Sequence, residues 1–343
     1  MSQNVYGIDI GTSNLKIFNG QTKTIINEKN IIAMRNKKDV FAIGNGAFEM
    51  YEKAPDNIVV SFPIKDGVIA DIKNMKSLIE KMFIKLNYPK IVRGGRFCIA
   101  VPSDITEVEK RAFYDVINDS SIKAKEIKIV EKPIADAVGL GIDIDSAKGN
   151  MIVNIGADTT EITVTSLGGI VISRIVKIGG NKLDEIICNI VKRKYNIMIG
   201  MKTAEQIKIN LANAIYDEES DDNYEMCNVF GRNIITGLPC ERTVTSDLIY
   251  EAIKEVLSSI IDSIKQLLER TPPELSSDII DTGIYLTGGS AQITNLSKLI
   301  EMETDLKVNV VRNPGESVVR GISKIISDSK YRKLLYTPSE NKY

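Results

Sequence analysis

The sequence predicts an α/β protein of two domains, the second built on the same plan as the first. Val5–Ile17 (V-Y-G-I-D-I-G-T-S-N-L-K-I) reads as a short apolar strand, a turn at a glycine flanked by small polar residues, and a second strand. Met151–Val164 (M-I-V-N-I-G-A-D-T-T-E-I-T-V) repeats that device near mid-chain. A chain of 343 residues is also long for one core, so two domains are the natural expectation.

Either hairpin alone is compatible with an ordinary two-strand turn; it is the duplication that points to a ligand. Gly11 and Gly156 let the backbone bend tightly and approach an anion, while Thr12, Ser13, Asn14, Thr159 and Thr160 add hydroxyl and amide donors to the N–H groups. Two such hairpins facing each other can hold a polyphosphate. Two further glycine elements join them: Ile178–Asn181 (I-G-G-N), and Ile284–Ala291 (I-Y-L-T-G-G-S-A), in which a buried strand ends in Gly-Gly. The G-x-x-x-x-G-K-[ST] loop occurs nowhere, and no G-x-G-x-x-G follows a strand.

Hydrophobic content of 43% with 26% charge is that of a globular protein, and a net charge of −1 gives no bulk attraction to nucleic acid or anionic lipid. Nucleic acid is therefore not an expected partner, and any membrane contact is local. No charged-then-apolar leader opens the chain and no run of about 18 apolar residues occurs, so the expected location is the cytoplasm. The cysteines at 98, 188, 227 and 240 form no C-x-x-C pair and read as reduced. Histidine does not occur, which removes histidine bases, Ser-His-Asp catalysis and imidazole metal sites together. Chemistry here must use carboxylates, lysines, hydroxyls, backbone amides and a bound cation.

Along the chain, Thr24–Tyr51 alternates short apolar runs with polar turns and reads as a small sheet inserted into the first domain. Ser61–Asp71 carries Pro and Gly at turn positions and leads into a helix whose Met75, Leu78, Ile79, Met82, Phe83 and Leu86 make one apolar face. Ile99–Pro102 is a strand, and Thr106 with Glu109 forms a capping box for the next helix. Val130–Gly141 (V-E-K-P-I-A-D-A-V-G-L-G) starts a helix with proline at an early position, where its missing N–H costs nothing. Asn181–Tyr195 and Thr203–Ala214 are helical, the latter with a Thr203 cap. Asp217–Asp222 is an acidic loop, and Leu248–Leu268 is the longest helix, ended by Pro272-Pro273. Val308–Val311 is a strand, and a last helix through Val318, Ile322 and Ile325 returns to the first domain. The tail Lys330–Tyr336 (K-Y-R-K-L-L-Y) is either a frayed terminus or a weak interfacial anchor.

These residues resemble the actin, heat-shock-70 and sugar-kinase superfamily: D-I-G-T at Asp9, the second hairpin ending in T-T-E, the E-x-P helix, and the strand ending in T-G-G. S-F-P-I-K-D-G-V-I-A-D, P-S-D-I-T-E-V-E-K-R-A, T-A-E-Q-I-K, G-L-P at Gly237 and T-P-P-E-L from Thr271 are similar to MreB, the bacterial actin, from Val5 to about Ile326. The lack of histidine and the low aromatic content are similar to the MreB paralogues of spiroplasmas.

The resemblance implies an actin-like two-lobed ATPase fold of duplicated ribonuclease-H-like domains. Domain I would span 1–140 plus 315–343, with a subdomain inserted at about 30–65; domain II would span 141–314, with one at about 182–242. ATP or ADP and Mg2+ would occupy the cleft. Asp9 would reach magnesium through water. Gly11, Thr12, Ser13, Asn14 and Lys16 would hold one phosphate side, and Gly156, Ala157, Asp158 and Thr159 the other. Gly180, Asn181, Glu205, Gln206 and Lys208 resemble ribose and base contacts, and Gly288, Gly289, Ser290 and Ala291 the nucleoside platform. It further implies homopolymer filaments for cell shape or motility, other MreB paralogues as partners, and the inner face of the membrane as location. The membrane contact would be the basic tail Lys330–Tyr336 or the loop Tyr88–Val92.

Two departures bear on hydrolysis. In MreB the residue before the helix-starting proline is a glutamate that orients the attacking water; here it is Lys132, which cannot accept a proton while charged. The second hairpin usually opens with aspartate, and here Asn154 stands there. Hydrolysis in this fold depends on positioning water and neutralising charge, so slow or lost turnover is expected. Asp158, where glycine is common, either weakens ATP affinity or binds the cation. The alternatives are a normally active ATPase using Glu131, although a helix start turns about 100° per residue, and a small-molecule kinase or chaperone ATPase of the same superfamily.

Overall fold

The computed structural model describes residues 4–85, 94–216 and 225–338. The loop Tyr88–Val92 and the acidic stretch Asp217–Asp222 lie outside the described residues. The chain divides into two units, one running through Lys148 and including Thr163–Ser173 and everything from Glu316, the other formed by Gly149–Ile162 and Arg174–Gly315.

In the first unit β1 (Val5–Ile10) and β2 (Asn14–Asn19) pair antiparallel, with Asp9 opposite Lys16 and Ile10 opposite Leu15. β3 (Thr24–Lys29) pairs with β2, so this segment extends the main sheet and does not belong to the inserted one. Its polar pattern is that of a half-exposed edge strand. β4 (Ile32–Arg35), β5 (Asp39–Ile43) and β6 (Ile58–Ser61) form the separate small sheet, in the order β5-β4-β6. α1 (Gly44–Met50) lies between β5 and β6 in sequence, where the chain reads as turn. β7 (Ile64–Lys65) and β8 (Val68–Ile69) make a hairpin on Asp66-Gly67, both at positive φ as a type I′ turn demands.

α2 (Ile72–Lys85) buries Met75, Leu78, Ile79, Met82 and Phe83 of the expected apolar face, while Leu86 lies outside the described residues. β9 (Arg96–Val101) follows, then α3 (Glu107–Asn118), which opens on the Thr106/Glu109 capping box. β10 (Glu126–Glu131) runs directly into α4 (Lys132–Leu140). The five strands lie in the order β10-β9-β1-β2-β3, with β9 parallel to both of its neighbours.

The second sheet repeats this mixed plan. β11 (Asn150–Ile155), β12 (Thr160–Ser166) and β13 (Gly169–Val176) lead to α5 (Gly180–Tyr195), β14 (Ile197–Met198) and α6 (Met201–Leu211). α6 begins at Met201, two residues ahead of the expected Thr203 cap, with Gly200 at its N-cap and no side-chain cap bond. β15 (Met226–Asn233) and β16 (Pro239–Thr245) complete a small sheet, β14-β15-β16. Then come α7 (Ser246–Arg270), α8 (Pro273–Thr282), β17 (Ile284–Thr287), α9 (Leu296–Thr304) and β18 (Val308–Val310). The main sheet here has the order β13-β12-β11-β17-β18, with β11, β17 and β18 parallel.

α10 (Ser317–Ser327) belongs to the first unit and packs on α4. The tail after it is tied down. Ser329–Leu334 is a 3-10 helix, and Tyr336 exchanges backbone hydrogen bonds of 2.8 and 3.1 Å with Ile129 on edge strand β10. Lys330 and Arg332 stay exposed, and Lys333 pairs with Asp145.

Candidate functional site

Both hairpin turns close with the same hydrogen bond. Gly11 N–H donates to Asn14 O at 3.0 Å, and Gly156 N–H to Thr159 O at 2.8 Å. A Cβ on either glycine would stand 2.9 or 3.1 Å from that oxygen. The close approach, rather than a positive φ, is what requires glycine at both turns.

The first turn is clamped by Asn30, a residue the sequence reading does not single out. It is fully buried; its N–H donates to Ser13 O and its Nδ2 to Gly11 O, both at 2.8 Å. Lys29 Nζ reaches Ser13 Oγ at 3.2 Å, and Asn14 Nδ2 donates to Asn27 Oδ1 at 2.7 Å. Asn30→Ala would leave the part-buried Gly11 O without that donor, at a cost of about 1 kcal/mol. A lower unfolding temperature and several-fold weaker ATP binding are the expected results, read by thermal unfolding and calorimetric titration.

Asp9 is buried between two ammonium groups. Lys16 Nζ lies 3.2 Å from Oδ2, and Lys132 Nζ 3.6 Å from Oδ1. Burial pushes the carboxyl up, but the two lysines together outweigh it and hold it below its ordinary value. This pairing supports the fold above the ordinary carboxylate range and is lost only as the pH falls through the lowered value. Lys132, the first residue of α4, also donates to Ile10 O at 3.1 Å. The preceding residue turns elsewhere: the Glu131 carboxylate accepts from Tyr336 Oη at 3.3 Å and lies 3.7 Å from Lys110 Nζ. Burial, then the Glu131 charge, push the Tyr336 phenol well up, so it stays a donor.

In the second unit three separate glycine elements converge. Gly156 O accepts from Gly180 N–H and from Ser290 Oγ, each at 3.0 Å, and Ala157 O accepts from Asn181 N–H at 2.7 Å. Asn181 Nδ2 also donates to Asp158 Oδ1 at 2.7 Å, so Asp158 is held by an amide. Lys208 Nζ donates to Gly180 O at 3.0 Å and to buried Asp184 at 2.8 Å. Asp184 also escapes the sequence reading, although its place four residues after Gly180 puts both on one face of α5. Glu205 shares the half-buried face of α6 with Lys208, whereas Gln206 is exposed. Gly289, Ser290 and Ala291 lie in a 3-10 turn after β17, and Gly288 N–H donates to Pro314 O. Asn154, on β11, pairs in register with Thr287 on β17.

A family model described as MreB/Mbl protein matches residues 3–333. The chain belongs to the MreB/Mbl family. It is 38% identical to the cell shape-determining protein Mbl of Bacillus subtilis (strain 168) over 323 residues, 94% of this chain and 95% of that protein. To the cell shape-determining protein MreB of Escherichia coli (strain K12) it is 37% identical over 332 residues, 95% of this chain and 94% of that one. The crystal structure of MreB5 of Spiroplasma citri bound to AMPPNP superposes with a TM-score of 0.89 at 31% identity, covering 97% of this chain and 98% of that one. The two mixed five-stranded sheets are thus an actin-like α/β fold.

In this MreB/Mbl chain the donor set for magnesium is poor. Among the described residues no three of His, Cys, Asp and Glu come together as a metal site. The Asp9 carboxylate is already matched by two ammonium groups, and Asn154 brings no charge. Hydrated magnesium is held through acceptor oxygens, so these residues do not fit an ion bound through Asp9.

Proposed function

We propose that this MreB/Mbl chain binds ATP and polymerises into cytoskeletal filaments for cell shape or motility, while hydrolysing ATP slowly or not at all. The observation that carries the last part is Lys132. It stands immediately before the helix-starting proline, with its ammonium on Ile10 O and beside Asp9. An ammonium has no lone pair with which to accept a proton from water, and Asn154 adds no negative charge. The engagement of Glu131 by Tyr336 and Lys110 weighs against its serving as the substitute.

The S. citri MreB5 structures, bound to AMPPNP and to ADP, support an adenine nucleotide as the ligand of this chain. ATP binding then selects the subunit shape that assembles, and head-to-tail contacts that do not close a ring give open filaments. The resemblance also implies magnesium beside Asp9, but the two lysines weigh against it. Contact with the inner face of the membrane would run through exposed Lys330 and Arg332 of the docked tail, whose charges favour an anionic surface; no helix among the described residues is long and apolar enough to cross a membrane.

The test is sedimentation of the protein with and without ATP, alongside phosphate release. An ATP-dependent pellet with release near background supports the reading. Protein that stays in the supernatant at every concentration removes the filament. Release of about one phosphate per assembled subunit removes the slow hydrolysis.

A further inference from the structure

We propose that Lys132 supplies the counter-charge that a divalent cation would otherwise bring to the ATP phosphates, so that this chain binds ATP without magnesium. The inference rests on the ATP-binding reading above and deepens it.

Lys132 is held in place, unlike a surface lysine free to sweep through solvent. Its side chain is 16% exposed, its backbone opens α4, and its Nζ is fixed by Ile10 O at 3.1 Å and Asp9 at 3.6 Å. Ile10 O is the last carbonyl of β1, adjoining the Gly11 turn. An ammonium carries three donors; Ile10 O takes one and Asp9 at most a second, which leaves one for a phosphate oxygen. A lysine is a compact point charge well suited to that contact, and its bond to an anionic oxygen is charge-assisted.

The charge count runs the same way. One carboxylate and two ammonium groups leave Asp9, Lys16 and Lys132 with one net positive charge, packed beside the turn whose N–H groups would meet the phosphates. A divalent cation arriving there meets two ammonium groups before it meets a carboxylate with charge to spare. An anion meets attraction from both lysines. Each of these features favours a bare phosphate chain over a metal-bridged one.

The experiment is calorimetric titration of the full chain with ATP, once with magnesium and once with EDTA. The two dissociation constants are expected to agree within about threefold for the wild type, less than the tenfold step that marks a lost charged contact. Lys132→Gln should weaken binding in EDTA by about tenfold, and Lys132→Glu by more, with magnesium restoring much of the loss in Lys132→Glu. Thermal unfolding of the nucleotide-free variants checks that both remain folded. Wild-type affinity that falls tenfold or more in EDTA overturns the proposal, as does Lys132→Gln that binds in EDTA as tightly as the wild type. Binding in neither condition overturns the ATP reading beneath it, a result distinct from binding only with magnesium.

Discussion

Lys132→Glu is expected to raise phosphate release at least about tenfold over the wild type, because a positioned carboxylate beside the attacking water contributes on the order of 10²–10⁴ in rate. The substitution changes three things at once. It removes the ammonium from Ile10 O and Asp9. It places an acceptor-only group where a water can be oriented. It also puts a negative charge in the first turn of α4, which the helix dipole favours by about 0.3–1 kcal/mol, so the fold should tolerate it. Recovery should be partial, since Asn154 remains neutral. Adding Asn154→Asp should raise release further. Phosphate release and sedimentation, measured together in magnesium, read both effects. A wild type that already turns over at the variant's rate would remove Lys132 from the account.

The parts of this site that the sequence makes legible are those carried by local pattern. The two hairpins announce themselves by strand, glycine and small polar residue, and the structure closes each turn with its own glycine N–H bond to the carbonyl three residues on. The core faces of α2 and α7 follow from three- and four-residue spacing. What the pattern misses is carried by single long-range contacts. Asn30 has no signature, because its work is to meet a backbone carbonyl of the Gly11 turn. The Tyr336–Glu131 bond joins residues 205 apart, and no local pattern announces it. α1 (G-N-G-A-F-E-M) carries two glycines and reads as turn. It forms because Ala47 and Phe48 pack with Tyr51, Phe62 and the buried side chains of the small sheet. At α6 the Thr203 hydroxyl has the look of a cap, but the helix has already begun when the chain reaches it.

The largest effect on the fold itself is expected at Gly321. α10 buries Val318, Val319, Ile322 and Ile325, and it comes close enough to α4 that backbone meets backbone. A Cβ on Gly321 would stand 1.6 Å from Ala135 O and 3.0 Å from Gly139 N; on the facing Gly139 it would stand 2.1 Å from Ser317 O. None of these neighbours is a flexible side-chain end, so the helices must part. Parting them strips contact from the apolar face of α10 along its length. Gly321→Ala should therefore destabilise by about 3 kcal/mol or more, above the usual range for one added methyl. Gly46→Ala is the opposite case: α1 is helical there, φ is not positive, and nothing lies within 4 Å of the added carbon. That change should be neutral or stabilise by about 0.5–1 kcal/mol, since it removes only the entropic cost of glycine in a helix. Urea unfolding of both variants beside the wild type measures the contrast. Equal midpoints for Gly321→Ala and the wild type would mean that the two helices do not touch as described. The consequence reaches the site through α4, whose first residue is Lys132. A helix pushed away from α10 carries the ammonium off Ile10 O, so the fraction of Gly321→Ala that stays folded should bind ATP more weakly than the wild type.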